Sequence, residues 1–191
     1  MQRKLYDLPE GCFEMIPLDK NYGFAVAANA GIKQVKTKYV TLLNNDTEVT
    51  PGWLEAMLYE LAQRPRLGLV GATTDNISSC QQVEKAKSRA GGENYFDVPS
   101  GNVAYFCVTL RMAAIEEVGY LDPEFFNGGE DDDMNDRLRA AGWGTGVTML
   151  SFVYHVHLAT RGKLPEFQEH SRRNCERLAA KREARREKNE R

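Results

Sequence analysis

The chain has 191 residues, 42% of them hydrophobic and 9% aromatic, with 25 Lys/Arg against 27 Asp/Glu. That length suits one domain with a real core, and a net charge of −2 gives no general reason to expect a nucleic-acid partner. No apolar run reaches about 18 residues and MQRKLYDLPEGCF has no apolar segment after its charges, so neither a transmembrane helix nor a secretory signal is expected. Cys12, Cys80, Cys107 and Cys175 form no CxxC pair and read as reduced, mostly buried thiols of a cytoplasmic protein.

In chain order, CFEMIPL (12–18) alternates loosely and is expected to be a strand. After Asn21, GFAVAANAGIKQV sets Ala25, Ala28 and Ile32 at helical spacing. KYVTLL (38–43) is a compact apolar strand ending in Asn44, Asn45, Asp46 and Thr47. Thr50-Pro51 then opens a helix with Pro at its first position. Trp53, Leu54, Met57, Leu58 and Leu61 form its buried stripe. LGLVGA (67–72) is another apolar strand, and strands of this kind separated by helices predict a mostly parallel sheet covered on both faces.

Residues 73–101 lose that rhythm and read as a long excursion or flexible loop. VAYFCVTL (103–110) resumes as a strand, and RMAAIEEVG as a short helix closed by Gly119. An acidic helix follows, ending near Gly142, and then the strand GVTMLSFVYHVH. From His170 the tail carries nine Lys/Arg against four Glu. It is expected to be helical, either simply solvated or offering a basic surface to anionic lipid or a partner.

Three groups of residues carry chemistry. Asn44, Asn45 and Asp46 leave the carboxyl end of an apolar strand, where α/β sheets bind ligands. Their oxygens suit a hard cation, although the same residues also make good turns. In NGGEDDDMNDRLRAAG, Glu130 to Asp133 are four consecutive carboxylates. A helix dipole accounts for one or two of them, and Asp133 with Arg137 forms a supportive i,i+4 pair. The remaining crowding suits a carboxylate poised as a general base, and the residues alone leave both readings open. His155 and His157 face opposite sides of a strand, so at most one reaches a site.

Taken in order, NYGFAVAANAG (21–31), YVTLLNNDTEVTPGWLEAML (39–58), EEVGYLDPEFF (116–126), GEDDDMNDRLRAAGW (129–143) and YHVHLAT (154–160) resemble the family 2 inverting glycosyltransferases of GT-A fold. The resemblance implies an α/β, Rossmann-like domain over 1–165, followed by a basic tail over 166–191. It places Asn44-Asn45-Asp46 at the family's DXD motif, with Asp46 and His155 as ligands of Mn²⁺ or Mg²⁺. It makes Asp131 the base, paired with Glu130, and puts Asn21, Gly23, Asn29, Asn44, Asn45, Asp133 and Arg137 beside donor or acceptor.

The implied partners are a UDP-, dTDP- or GDP-sugar and a saccharide or lipid-linked acceptor, handled in the cytoplasm, with a peripheral place at a membrane surface compatible with this. Family members begin with an apolar strand, a helix and a second strand ending in D-x-x-S-x-D, and no counterpart is found here. The fold is therefore expected to be N-terminally truncated, with a sheet flank covered by self-association or another chain. The alternative function is a non-catalytic remnant acting as a binding module.

Overall fold

The computed structural model describes residues 11–156 and 167–190. Its elements are α1 (Phe24–Ile32), β1 (Tyr39–Leu43), β2 (Thr47–Val49), α2 (Trp53–Gln63), β3 (Leu67–Thr73), α3 (Val83–Ala90), β4 (Tyr95–Asp97), β5 (Cys107–Arg111), α4 (Met112–Val118), α5 (Glu130–Ala140), β6 (Gly144–His155) and α6 (Phe167–Asn189). The strands join in the order β1-β5-β3-β6-β2, with β4 also paired to β6.

This is an α/β sheet with flanking helices, as expected, but it is not mostly parallel. β1 and β3 run alike, yet β5 inserts between them antiparallel to both. β2 and β4 are also antiparallel to β6, leaving β3 and β6 as the parallel neighbours. Apolar runs report burial on two faces, not strand direction, so they do not disclose the antiparallel insertion of β5. Every residue of β3 is buried. Leu69 faces a cluster with Ala25, Ile32, Ile115, Met134 and Leu138 from α1, α4 and α5. Val70 and Ala72 face Met57 and Leu61 of α2. Each such fully buried large aliphatic side chain contributes about 1.5–3 kcal/mol.

Other boundaries differ from the sequence expectation. Residues 12–18 form no strand, and Phe13, Met15, Ile16 and Leu18 are exposed. β1 lies at one end of the sheet, so the flank expected to be open is an edge. Pro51 precedes α2 in a turn closed by Gly52 instead of opening the helix. Of the stripe expected on α2, Met57 and Leu61 are buried, together with Glu60, which accepts hydrogen bonds from Arg64 and Thr148. The stretch 73–101 contains α3 and β4, held by the fully buried Gln81, whose amide bonds Ala72 O, Ala104 O and Ala104 N. The thiols are less buried than expected, with Cys107 buried, Cys80 intermediate, and Cys12 and Cys175 exposed.

α1 is fastened at a distance. Asn29, buried on its inner face, donates to Leu121 O (2.7 Å) and accepts from Leu121 N (3.0 Å). A side-chain amide that satisfies both backbone groups of one residue replaces a strand partner there. Asn29→Ala is expected to destabilise the fold by about 2–4 kcal/mol, since two buried backbone groups lose their partners. Urea unfolding with an unchanged m-value checks this, and Asn29→Asp, which keeps only the acceptor, should fall in between.

Candidate active site

Asp46 and His155 are brought together by strand pairing. β1 ends at Leu43, and the next backbone N–H, of Asn44, donates to Phe106 O (2.9 Å). Thr47 Oγ1 closes the turn on Asn44 O (2.6 Å). Thr47 then pairs with His155 at the end of β6, and Val156 N donates to Asp46 O (2.9 Å). The imidazole Nε2 of His155 lies 3.4 Å from Asp46 Oδ1, and its ring stacks on Phe106 with centroids 5.0 Å apart. Adjacent ligands of an octahedral ion at about 2.1 Å stand about 3 Å from each other, so the carboxylate and imidazole fit a divalent cation. Among the described residues no third His, Cys, Asp or Glu joins them, so other ligands would come from substrate and water. The side chains of Asn44 and Asn45 make no hydrogen bond to the described residues. His157, with most of YHVHLAT, lies outside the described residues.

The acidic segment enters α5 through Asn127-Gly128-Gly129, all at positive φ. A Cβ on Gly129 would lie 2.9 Å from the Phe125 ring, so glycine is required for close approach as well as for φ. The buried Glu130 carboxylate accepts from Gly128 N (2.6 Å), holding the turn. Asp131 is half-buried, with Oδ2 accepting from Asn102 Nδ2 (2.9 Å) and Oδ1 from Asp132 N (2.9 Å). Asn135, fully buried one turn on, donates to Asn102 Oδ1 (3.1 Å), Val103 O (3.0 Å) and Asp131 O (2.8 Å). Asn135 thus fixes the amide that fixes the carboxylate. The Tyr105 hydroxyl is buried without a hydrogen-bond partner among the described residues. Burial first, then the charge of Asp131, drives its pKa well above the usual phenol value.

These two halves share one piece of backbone. Asn102 touches Asp131, while Phe106 carries Asn44 on its carbonyl and His155 on its ring. Four residues of extended chain span at most about 14 Å, so the anchor of Asp131 and the support of His155 lie within reach of one small ligand. Asn102, Asn135 and Tyr105 had no signal in the sequence, because each works only through contacts made on folding.

Several expected substrate contacts are instead structural. Asp133 is fully buried and ion-paired to Arg137, Lys181 and Arg185. Arg137 also donates to the carbonyls of Val118, Gly119 and Tyr120, so neither residue is left for donor or acceptor. Asn29 has both amide atoms committed to Leu121 and offers nothing to a nucleotide. Asn21 accepts from Gly23 N (2.9 Å) at the start of α1, and Gly23 lies against Phe126 and Asn127. Phe24 N in turn donates to Asn127 Oδ1 (2.9 Å), tying α1 to the turn before Asp131.

The basic tail answers the crowding of carboxylates. α6 lies along α5, with Lys181 also on Asp122 (2.5 Å), Arg182 on Asp136 (2.6 Å) and Asp132 (3.4 Å), and Arg177 on Glu124. It is therefore neither simply solvated nor wholly available to lipid. Asn174, buried in the same contact, exchanges hydrogen bonds with the backbone of Phe126. Burial, and then the charge of Asp131, raises the pKa of Asp132. Burial works the same way on Asp136, but hydrogen bonds from Arg182 and Arg139 prevail and hold it below its usual value.

Residues 2–118 match the Glycosyl transferase family 2 profile. The chain belongs to glycosyl transferase family 2. It is 28% identical over 161 residues to an uncharacterised protein of Sinorhizobium fredii (74% of this chain, 18% of that one). It is 26% identical to an O-antigen biosynthesis protein of Myxococcus xanthus (75% and 13%). With the N-acetylglucosaminyl-diphospho-decaprenol L-rhamnosyltransferase of Mycobacterium tuberculosis it shares 23% identity (79% and 61%). The chain thus spans between 13% and 61% of the length of these curated relatives. Its fold is that of the GT-A glycosyltransferases. GalNAc-T7, solved with UDP, GalNAc and Mn²⁺, superposes at TM-score 0.59 with 14% identity, over 72% of this chain and 31% of that one. The mannosyltransferase PcManGT of Pyrobaculum calidifontis, solved with GDP-Man and Mn²⁺, superposes at 0.56 with 14% identity, over 72% and 37%.

For this family 2 chain the opposed shifts of Asp136 and Asp132 give a pH test. A depressed folded-state pKa means that Asp136 stabilises the fold above the ordinary value of 3.8, and that this is lost as pH falls through the lower folded value. Asp136→Asn should therefore lower the unfolding midpoint at pH 7 and converge with wild type in strong acid. Asp132, with its pKa raised, costs stability at neutral pH, so Asp132→Asn should leave the midpoint unchanged or higher. Thermal unfolding of both variants between pH 2 and 8 measures this.

Proposed function

We propose that this chain forms the catalytic region of an inverting glycosyltransferase. It moves a sugar from a UDP-, dTDP- or GDP-sugar to a hydroxyl on a saccharide or lipid-linked acceptor. The observation that carries this reading is the 102–106 segment, with Asp131 held at one end and His155 beside Asp46 at the other. The donor class is supported by the UDP and GDP-Man in the similar solved structures. A lipid-linked acceptor is supported by the name of the rhamnosyltransferase relative, and fits work at the cytoplasmic surface of a membrane.

Asp46 and His155 would hold Mn²⁺ or Mg²⁺, whose Lewis acidity stabilises charge on a departing diphosphate. Asn44 and Asn45 place uncommitted amides beside that pair, suited to the donor. Asp131 takes the proton of the acceptor hydroxyl. The hydroxyl oxygen bonds to the anomeric carbon on the face opposite the diphosphate. The carbon–oxygen bond to phosphate breaks with its electron pair, and one displacement inverts the centre. Hydrogen bonds from Asn102 and from the Asp132 N–H fix the carboxylate plane beforehand, so little orientation remains to be lost at the transition state.

Asp131→Asn should slow transfer by about 10²–10⁴-fold, the usual share of a general base, while the thermal shift produced by nucleoside diphosphate with Mn²⁺ is kept. Asp46→Ala should abolish that shift and leave the unliganded melting temperature within a few degrees. Near-normal turnover by Asp131→Asn, or an undiminished Mn²⁺-dependent shift in Asp46→Ala, would remove those residues from their roles.

A further inference from the structure

Beside the residue that anchors the base lies an open recess of about 570 Å³ lined by Ser78, Ser79, Cys80, Glu84, Lys85, Ser88 and Arg89. Its position relative to the reaction is set by one residue. Cys80 Sγ, in its wall, contacts Asn102 O (3.6 Å), and the side chain of the same Asn102 donates to Asp131 (2.9 Å). The wall is held firmly, because the buried amide of Gln81 bonds Ala72 and Ala104, and Val83 N and Thr74 N join the two ends of the loop.

The charge of the recess is unspent. Lys85 and Arg89 stand four apart on α3 and so share a face. Lys85 Nζ donates to one carbonyl, Ser78 O (2.7 Å), and among the described residues Arg89 has neither a hydrogen bond nor an ion pair. The one carboxylate in the lining, Glu84, is paired with Lys87 (2.9 Å). A second arginine-lined recess, at Asp136, Arg139, Arg182, Arg185 and Arg186, differs in this respect, since Arg139, Arg182 and Arg185 are ion-paired to α5 carboxylates. The cations also reach the wall of their own recess. Burial raises the Cys80 thiol pKa, and Arg89 and Lys85 pull against it.

We propose that this recess binds a phosphate or diphosphate group carried by the acceptor, with Lys85 and Arg89 as its cations and the serine hydroxyls as donors. The inference deepens the glycosyltransferase reading. An acceptor whose saccharide is joined to phosphate would be held by its anion here and present a hydroxyl to Asp131, which Asn102 links to the recess wall.

The test uses the full chain, with Lys85→Ala/Arg89→Ala as the variant and Lys36→Ala/Lys38→Ala, which removes the same two charges away from the recess, as the control. All four side chains are exposed, so folding should survive, and circular dichroism checks it. Titration with inorganic pyrophosphate in EDTA, followed by calorimetry, should show at least tenfold weaker binding by the Lys85/Arg89 variant and less than a twofold change for the control. With a short-chain alkyl glycosyl diphosphate and the matching alkyl glycoside as acceptors, the Lys85/Arg89 variant should raise KM for the phosphorylated one alone. Pyrophosphate binding that is absent, or that Lys36→Ala/Lys38→Ala weakens equally, overturns the recess even if transfer is robust. Phosphatidylglycerol vesicles bound through Lys85 and Arg89 without binding of the soluble diphosphate would overturn it in favour of a membrane contact. Specific pyrophosphate and glycosyl diphosphate binding with no transfer from any donor would instead sink the glycosyltransferase reading and leave the recess standing.

Discussion

Four consecutive carboxylates at the head of a helix repel one another, and the helix dipole offsets only part of that. What makes the segment tolerable is α6, which brings Lys181, Arg182 and Arg185 from some fifty positions away onto Asp132, Asp133 and Asp136. The division of labour follows from who is paired. Asp133 is consumed by three cations, Asp132 and Asp136 share Arg182, and Glu130 is turned back onto Gly128. Asp131 is held by an amide and a backbone N–H and has no ion pair among the described residues, so its charge is oriented without being cancelled by them.

Much of this was legible in the sequence where local pattern decides. Ala25 and Ile32 on α1, Met57 and Leu61 on α2, and the span of α5 followed from helical spacing, and the pairing of Asp46 with His155 followed from family resemblance. The misses came where long-range contact decides. Whether β5 runs with or against β1 depends on which strands it lies between, and apolar residues are indifferent to that. Asp133 and Arg137 carry the same letters whether they meet a substrate or α6. Asn29 looks polar enough for a nucleotide until Leu121 arrives from 92 positions away.

The loop between β3 and β5 shows the same principle. Its sequence has little rhythm because much of its order comes from one buried glutamine and backbone hydrogen bonds, and because α3 buries only the small Ala86 and Ala90. A segment ordered in this way can leave cations such as Lys85 and Arg89 without a carboxylate partner among the described residues at its surface.

The attachment of α6 is also graded along its length. At Asp133, with no exposed surface, mobile counterions have no access, and attraction there is nearly immune to dissolved salt. Toward the start of the helix, Arg177 meets an exposed Glu124, and screening at physiological ionic strength erases most of that pair's worth. Brine would therefore strip the outer pair and spare the inner grip, while the uncharged hold of Asn174 on Phe126 keeps the leading end seated.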